Sequence, residues 1–304
     1  MPNAKLKNYF HLHFIIFIWG FTAILGELIS IEALSLVWYR MLIASGFIYL
    51  FIYFKKISLV VSRKVFLTLF IAGVVIALHW ITFFAAIKVS NVSITLAVLS
   101  TGAFFTSILE PIFYKRKLIW YEVLFGVLVI AGLYVIFNVE GDYLYGIIYA
   151  LCSAFLSSVF SLINGKVAKQ YNSSMISFYE LLSGVGFVTI YLLGLTIFGG
   201  EAEGFSIAFF QVSLSDWLYL FILASVCTAY AFIGSVQVMK YLSPYTVMLT
   251  TNLEPVYGIL LAFLIFGDSE KMSPQFYYGA LIILGTVVLN GIFKNTKNRK
   301  RQAT

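Results

Sequence analysis

Apolar residues run through this chain in long unbroken blocks, and polar residues gather in short gaps between them. Ten blocks lie at about 10–28, 34–54, 65–87, 91–114, 119–138, 143–164, 174–198, 214–239, 244–266 and 275–293. Each has about the 20 residues that a helix needs to cross a ~30 Å hydrocarbon core. A membrane barrel would alternate apolar and polar positions along its strands, and these blocks do not alternate. The pattern predicts an all-α membrane protein with ten transmembrane helices. No gap is long enough for a soluble domain. The longest, "GGEAEGFSIAFFQVSLSD" (199–216), predicts a short interfacial helix.

Composition agrees with the blocks. Charged residues are 11% of the chain, against about 25% in soluble domains, which excludes a water-soluble globule. The first block follows Lys5 and Lys7 as a signal peptide would. It is long enough to span, and no A-x-A-like cleavage site follows, so a retained helix is expected. The net charge of +7 does not imply nucleic acid, because the basic residues sit in small clusters in the gaps. With the N-terminus in the cytoplasm, 17 of the 20 lysines and arginines fall on that side, as the positive-inside rule requires. Lys88 and Lys271 fall outside, and Arg40 lies within the second block. Glu27, Glu32, Glu140, Asp142, Glu201, Glu203, Asp216, Asp268 and Glu270 also fall outside. A one-helix error would scramble this sorting. The expected location is a cell inner (plasma) membrane, with both termini cytoplasmic. Cys152 and Cys227 lie in apolar blocks, where structural thiols are the expected reading.

The two halves of the chain resemble each other. "WYRMLIASG" (38–46) matches "FYELLSGVG" (178–186), placing Arg40 against Glu180 and Gly46 against Gly186 at an offset of 140. "LTLF" (67–70) matches "LYLF" (218–221) at 151, Lys88 matches Lys240 at 152, and Gly126-x5-Gly132 matches Gly279-x5-Gly285 at 153. A longer loop after the seventh block accounts for the drift. Five helices per half force the halves into opposite orientations, the inverted-repeat build of many secondary transporters. The expected domains are 1–139 and 140–304, two five-helix repeats around a central cavity, the second with a basic tail.

The stretches "WGFTAILGE" (19–27), "WYRMLIASG" (38–46), "AIKVSNVSITLAVLST" (86–101) and "GALIILGTVVLNG" (279–291) carry a resemblance. The chain resembles the EamA-type permeases of the drug/metabolite transporter superfamily over nearly its whole length. That resemblance implies a ten-helix basket and export or permeation of amino acids, other metabolites or drugs. Two departures stand out. A proline frequent in the middle of the fourth helix is replaced by Thr101-Gly102. Gly-Glu pairs frequent after the fourth helix of each repeat read "YKRK" (114–117) and "GDSE" (267–270).

Ionisable groups inside spans cost roughly 2.5–3.5 kcal/mol each on insertion scales and mark candidate sites. Glu254 lies ten residues into the ninth block, about 15 Å deep. Thr246, Thr250, Glu254 and Tyr257 share one helical face, which reads as a cavity wall. Pro255 should kink that helix and free the carbonyl near residue 251. Glu254 can bind substrate or a proton there, or act as a protonated structural latch. In the repeat register it aligns with Thr101, and Pro255 with Gly102. A second "LEP", with Glu110, is off that register and lies near the cytoplasmic end of its helix, where the carboxyl can reach water or a lysine. Arg40 and Glu180 each lie about 9 Å from opposite faces, so they should not pair. Arg40 is expected at the outer mouth near Glu27 or helix-end carbonyls, as a gate, an anion site or a snorkelling structural arginine. His79, whose counterpart is Tyr230, reads either as a proton relay or as a satisfied core histidine. Trp19, Trp80, Tyr39 and Tyr257 are at depths suited to lining a pocket or to packing.

Nothing suggests catalysis: HExxH, P-loop and GxGxxG motifs and metal-spaced Cys/His clusters are all missing from the sequence. No cofactor is expected. The sequence supports a secondary or facilitative transporter, with export of a small metabolite expected. The expected partners are a small-molecule substrate, the lipid bilayer and a coupling proton. No nucleic-acid partner is expected, and the chain would be a monomer or homodimer. The alternatives are a non-transporting scaffold or partner subunit and a nucleotide-sugar or phosphate-ester exchanger. The latter would want two or more basic residues in the cavity, and Arg40 alone is available. A lipid-modifying enzyme would need acids or histidines clustered at one interface.

Overall fold

A computed structural model describes residues 2–115, 120–139, 141–200 and 203–302. Arg116, Lys117, Glu140 and Glu201, which entered the orientation argument, lie outside the described residues. The fold is all helical among them: α1 (Pro2–Leu28), α2 (Ala33–Phe54), α3 (Arg63–Val89), α4 (Val92–Leu99), α5 (Gly102–Tyr114), α6 (Trp120–Val139), α7 (Leu144–Val167), α8 (Ser173–Phe198), α9 (Ile207–Phe210), α10 (Leu214–Ala224), α11 (Ala231–Val238), α12 (Pro244–Thr251), α13 (Leu253–Phe266) and α14 (Pro274–Gln302). Helix is found over each of the ten apolar blocks. Eight stretches, among the described residues, are long and apolar enough to cross a membrane. Counted by the ten apolar blocks, they are the first to fourth and sixth to ninth rods, built on α1, α2, α3, α4–α5, α7, α8, α10–α11 and α12–α13. The chain is a multi-pass membrane protein.

Helix starts are set by short polar side chains. The Ser62 side chain accepts from Val65 N–H, Asn91 from Ile94 N–H, Asn172 from Ser174 N–H and Ser243 from Thr246 N–H. Each satisfies a backbone donor that the first helical turn leaves free. The longest connection does hold a short helix, α9. Its Phe209 ring stacks on Tyr39 at 5.3 Å and packs edge-on against Trp38.

Three rods are interrupted. The fourth turns at Ser100–Thr101 between α4 and α5. The ninth turns at Asn252 between α12 and α13. The eighth widens into a π-turn over Ser225–Tyr230 between α10 and α11. The ninth breaks where a proline dictates: Pro255 has no N–H for the carbonyl four residues back. The fourth breaks at a glycine. A Cβ on Gly102 would come within 2.9 Å of Met248 Cε, and the Gly102 carbonyl accepts from Ser158 Oγ at 2.7 Å.

The largest core cluster joins α1, α2, α3, α8, α10 and α11. A second joins α4, α7 and α14, with Ile136 of α6. Helices α6 and α14 cross closely: a Cβ on Gly132 would lie 3.0 Å from the Gly279 carbonyl. That is the close helix approach that paired small residues permit. Large apolar side chains such as Ile190, Leu264 and Leu281 point outward. They suit a lipid-facing surface.

A candidate substrate cavity between two broken helices

The residues at the two helix breaks line one cavity of about 90 Å³. Ser100 faces it from the fourth rod, and Thr251, Asn252, Glu254 and Pro255 face it from the ninth. The volume holds several waters or a small organic group, since one water needs roughly 10–15 Å³ on this measure. Aromatic and apolar side chains complete the wall, among them Trp19, Trp80 and Phe83.

Arg40 supplies the cavity's fixed cation. Its side chain is buried, and Nε donates to Thr228 Oγ1 at 2.6 Å. Thr228 sits in the π-turn, and its hydroxyl donates to the Leu223 carbonyl five residues back at 2.7 Å. The wider turn thus aims a hydroxyl oxygen at Arg40, a use of π-bulges common at functional sites. The guanidinium carbon lies 3.9 Å above the Trp80 ring, within cation–π range. Nη1 is buried and has no hydrogen-bond partner. Arg40 therefore does not meet Glu27 at a mouth. Glu27 lies instead beside Lys88, whose Nζ donates to the Ile29 carbonyl.

Glu254 supplies the opposing carboxyl. It is buried in the first turn of α13, where the helix dipole favours a negative group. It interacts electrostatically with Arg40 across the cavity. Among the described residues no hydrogen bond to its carboxyl is found. Three further cavity groups lack partners, Thr22 Oγ1, Asn252 Nδ2 and Ser161 Oγ. Buried polar groups are paired in the great majority of cases, so a cluster of unpaired groups in one cavity wall marks where a polar ligand can bind. His79 also lines the cavity. Its Nδ1 donates to the Ser153 carbonyl at 2.9 Å and lies 2.8 Å from Ser153 Oγ, so one ring nitrogen is committed while the residue still faces the pocket.

The other sequence-expected residues stand outside the cavity wall. Thr250 Oγ1 bonds back to the Thr246 carbonyl. Tyr257 packs against Phe17 and beside Gly20. The turn at Asn252 interrupts the helical face on which Thr246, Thr250, Glu254 and Tyr257 were placed, so the four do not form one wall. Thr101 is buried at the fourth-rod break beside Ser100. Tyr230 is exposed and meets His11 Nε2 at 3.1 Å. Tyr39 donates to the Phe209 carbonyl. Glu110 lies one turn before Tyr114 on α5. Glu180 is wholly buried beside Asn164. Ser153, Ser157 and Ser161 recur every four residues on α7, and two of them line the cavity. That stripe was readable in the sequence. The π-turn and Asn252 carried no comparable signal.

The EamA-like transporter family matches residues 9–138 and again 144–292. A solved crystal structure superimposes with a TM-score of 0.67 at 15% identity, covering 95% of this chain and 98% of the other. At that identity the likeness speaks for the fold alone. No curated protein sequence matches.

Proposed function

Because the chain belongs to the EamA-like transporter family and so is a membrane transporter, we propose that its cavity carries a small zwitterionic metabolite of the amino-acid kind, outward across a cell inner membrane. One observation carries this reading. Within a single cavity of about 90 Å³, a buried guanidinium and a buried carboxyl each keep free capacity. A substrate carboxylate would take Arg40 Nη1, and its ammonium would take Glu254. Asn252 and Ser161 would complete the polar contacts, and Trp19, Trp80 and Phe83 would take an apolar side chain. A phosphate ester fits less well, because Arg40 is the one lysine or arginine in the cavity wall.

Transport would follow from ten spans arranged as two inverted five-helix repeats. In support, the breaks at Ser100–Thr101 and Asn252 fall at corresponding positions of the two halves. Packing is exchanged in the same way: α1 meets α13, and α7 meets α4 and α5. Broken helices at matched positions commonly flank midplane substrate sites.

The test is a thermal-shift panel on purified protein. Zwitterionic amino acids should raise Tm by several degrees, and matched amines or N-acylated acids should raise it little. Equal shifts from all three sets, or none from any, would overturn the reading.

A further inference from the structure

A second buried polar cluster lies outside the cavity, between α7 and α8. Glu180 and Asn164 are both fully buried, and Asn164 Nδ2 donates to Glu180 Oε1 at 2.9 Å. Glycines close the space around them. A Cβ on Gly73 of α3 would collide with the Glu180 carbonyl oxygen, and one on Gly165 would collide with Pro244 and lie 2.7 Å from Tyr114 Oη. The second oxygen of each group, Glu180 Oε2 and Asn164 Oδ1, has no donor. An ionised carboxylate and an amide oxygen are both pure acceptors. One proton satisfies both. On Oε2 it would make a hydroxyl, a donor that could reach Asn164 Oδ1 and close a two-hydrogen-bond ring between acid and amide.

Among the described residues no cation does this instead. Helix α2 brings Arg40, committed to Thr228 and Trp80, and Tyr39, committed to the Phe209 carbonyl; its Tyr49 and Tyr53 are exposed. Helix α3 brings His79, held on Ser153, with Arg63, Lys64 and Lys88 at its ends. Helix α7 brings Lys166, over the Phe113 and Tyr114 rings, with Cys152, Tyr145 and Tyr149 exposed. Helix α11 brings no ionisable group. On α8 itself, Tyr179 donates to the Leu59 carbonyl and Tyr191 is exposed. Asn164 is the one polar partner that acts on the Glu180 carboxyl. A bare carboxylate here would be wholly buried with no counter-ion among the described residues, which is strongly unfavourable.

We propose that Glu180 and Asn164 form a proton-binding site, separate from the substrate cavity, and that this proton is the coupling ion. The proposal rests on the transporter reading above. Asn164 lies one helical turn from Ser161, which lines the cavity. Loss of the proton leaves a buried negative charge on α8 beside the Asn164 amide oxygen of α7. Their repulsion parts the helices next to the cavity wall, so proton occupancy biases which side of the cavity is closed.

The test is infrared difference spectroscopy of lipid-reconstituted protein, with the proton itself as probe. At neutral pH the wild type should show a carboxylic-acid C=O band that shifts in D2O and is lost reversibly at alkaline pH. Glu180→Gln should remove the part of that band that persists in Glu254→Gln. Asn164→Ala should move it, because the C=O loses its amide donor, and this variant decides the matter if Glu180→Gln fails to fold. A proton held by the folded state and not by the unfolded one also makes the wild-type Tm fall as pH rises. Glu180→Gln should flatten that fall. No band in the wild type, a band indifferent to pH and D2O, or an ionised carboxylate with sodium-dependent stability would overturn the proposal. Such a failure leaves zwitterion-induced Tm shifts intact, so it is distinguishable from failure of the cavity reading.

Discussion

Arg40 shows how much one side chain is held by its neighbours. Nε is committed to Thr228, one face lies on Trp80, and the buried Nη1 is left free. A lysine keeps the charge but not the planar fork. Arg40→Lys is expected to lose the Thr228 bond and the free donor together. The expected cost is about 1–3 kcal/mol of stability, read as a lower Tm in detergent, with uptake in proteoliposomes reduced about tenfold, equivalent to ~1.4 kcal/mol. The sequence placed Arg40 within an apolar span and named it a candidate, but sent it to the wrong partner. Depth along a helix is legible from residue counting. The direction of a side chain around that helix depends on which neighbours pack there, and the π-turn that offers Thr228 has no signature in residue spacing.

At the scale of elements, the interruptions matter more than the helices. The ninth rod was legible in part: a proline beside a glutamate announced a break and a buried charge. The outcome of that break was not legible. Periodicity assumes a continuous helix, and the turn at Asn252 rotates α13 relative to α12, so Thr250 and Tyr257 leave the cavity while Asn252 and Pro255 enter it. Pro255→Ala restores a donor to the Thr251 carbonyl. A proline inside a helix costs ~3 kcal/mol, so the alanine variant should unfold at an equal or higher temperature. A healed helix should also turn more stiffly about the cavity, and uptake should fall several-fold. A less stable variant with normal uptake would contradict the assignment of the break to transport.

For the whole molecule, hydrophobic blocks alone gave the class and the positions of the helical rods, because length and composition decide what a bilayer accepts. The helices over 120–139 and 274–302 join the eight long apolar stretches to make the proposed ten spans. The basic-residue asymmetry gives this architecture a direction. Single cysteines in place of Lys240 and Lys271, in a cysteine-free background, test it with an impermeant maleimide. Lys271→Cys should label in intact cells and Lys240→Cys only after permeabilisation. The reverse pattern would invert the topology. Equal labelling of both in intact cells would break the ten-span count.

The central claim is that Arg40 and Glu254 hold opposite ends of one transported molecule. Uptake of the most stabilising radiolabelled amino acid into proteoliposomes, wild type against Glu254→Gln, tests it most directly. The account predicts that Glu254→Gln keeps a Tm within a few degrees of wild type and loses at least about tenfold in uptake, or ~1.4 kcal/mol. Wild-type uptake by Glu254→Gln from acidic to alkaline pH would contradict it.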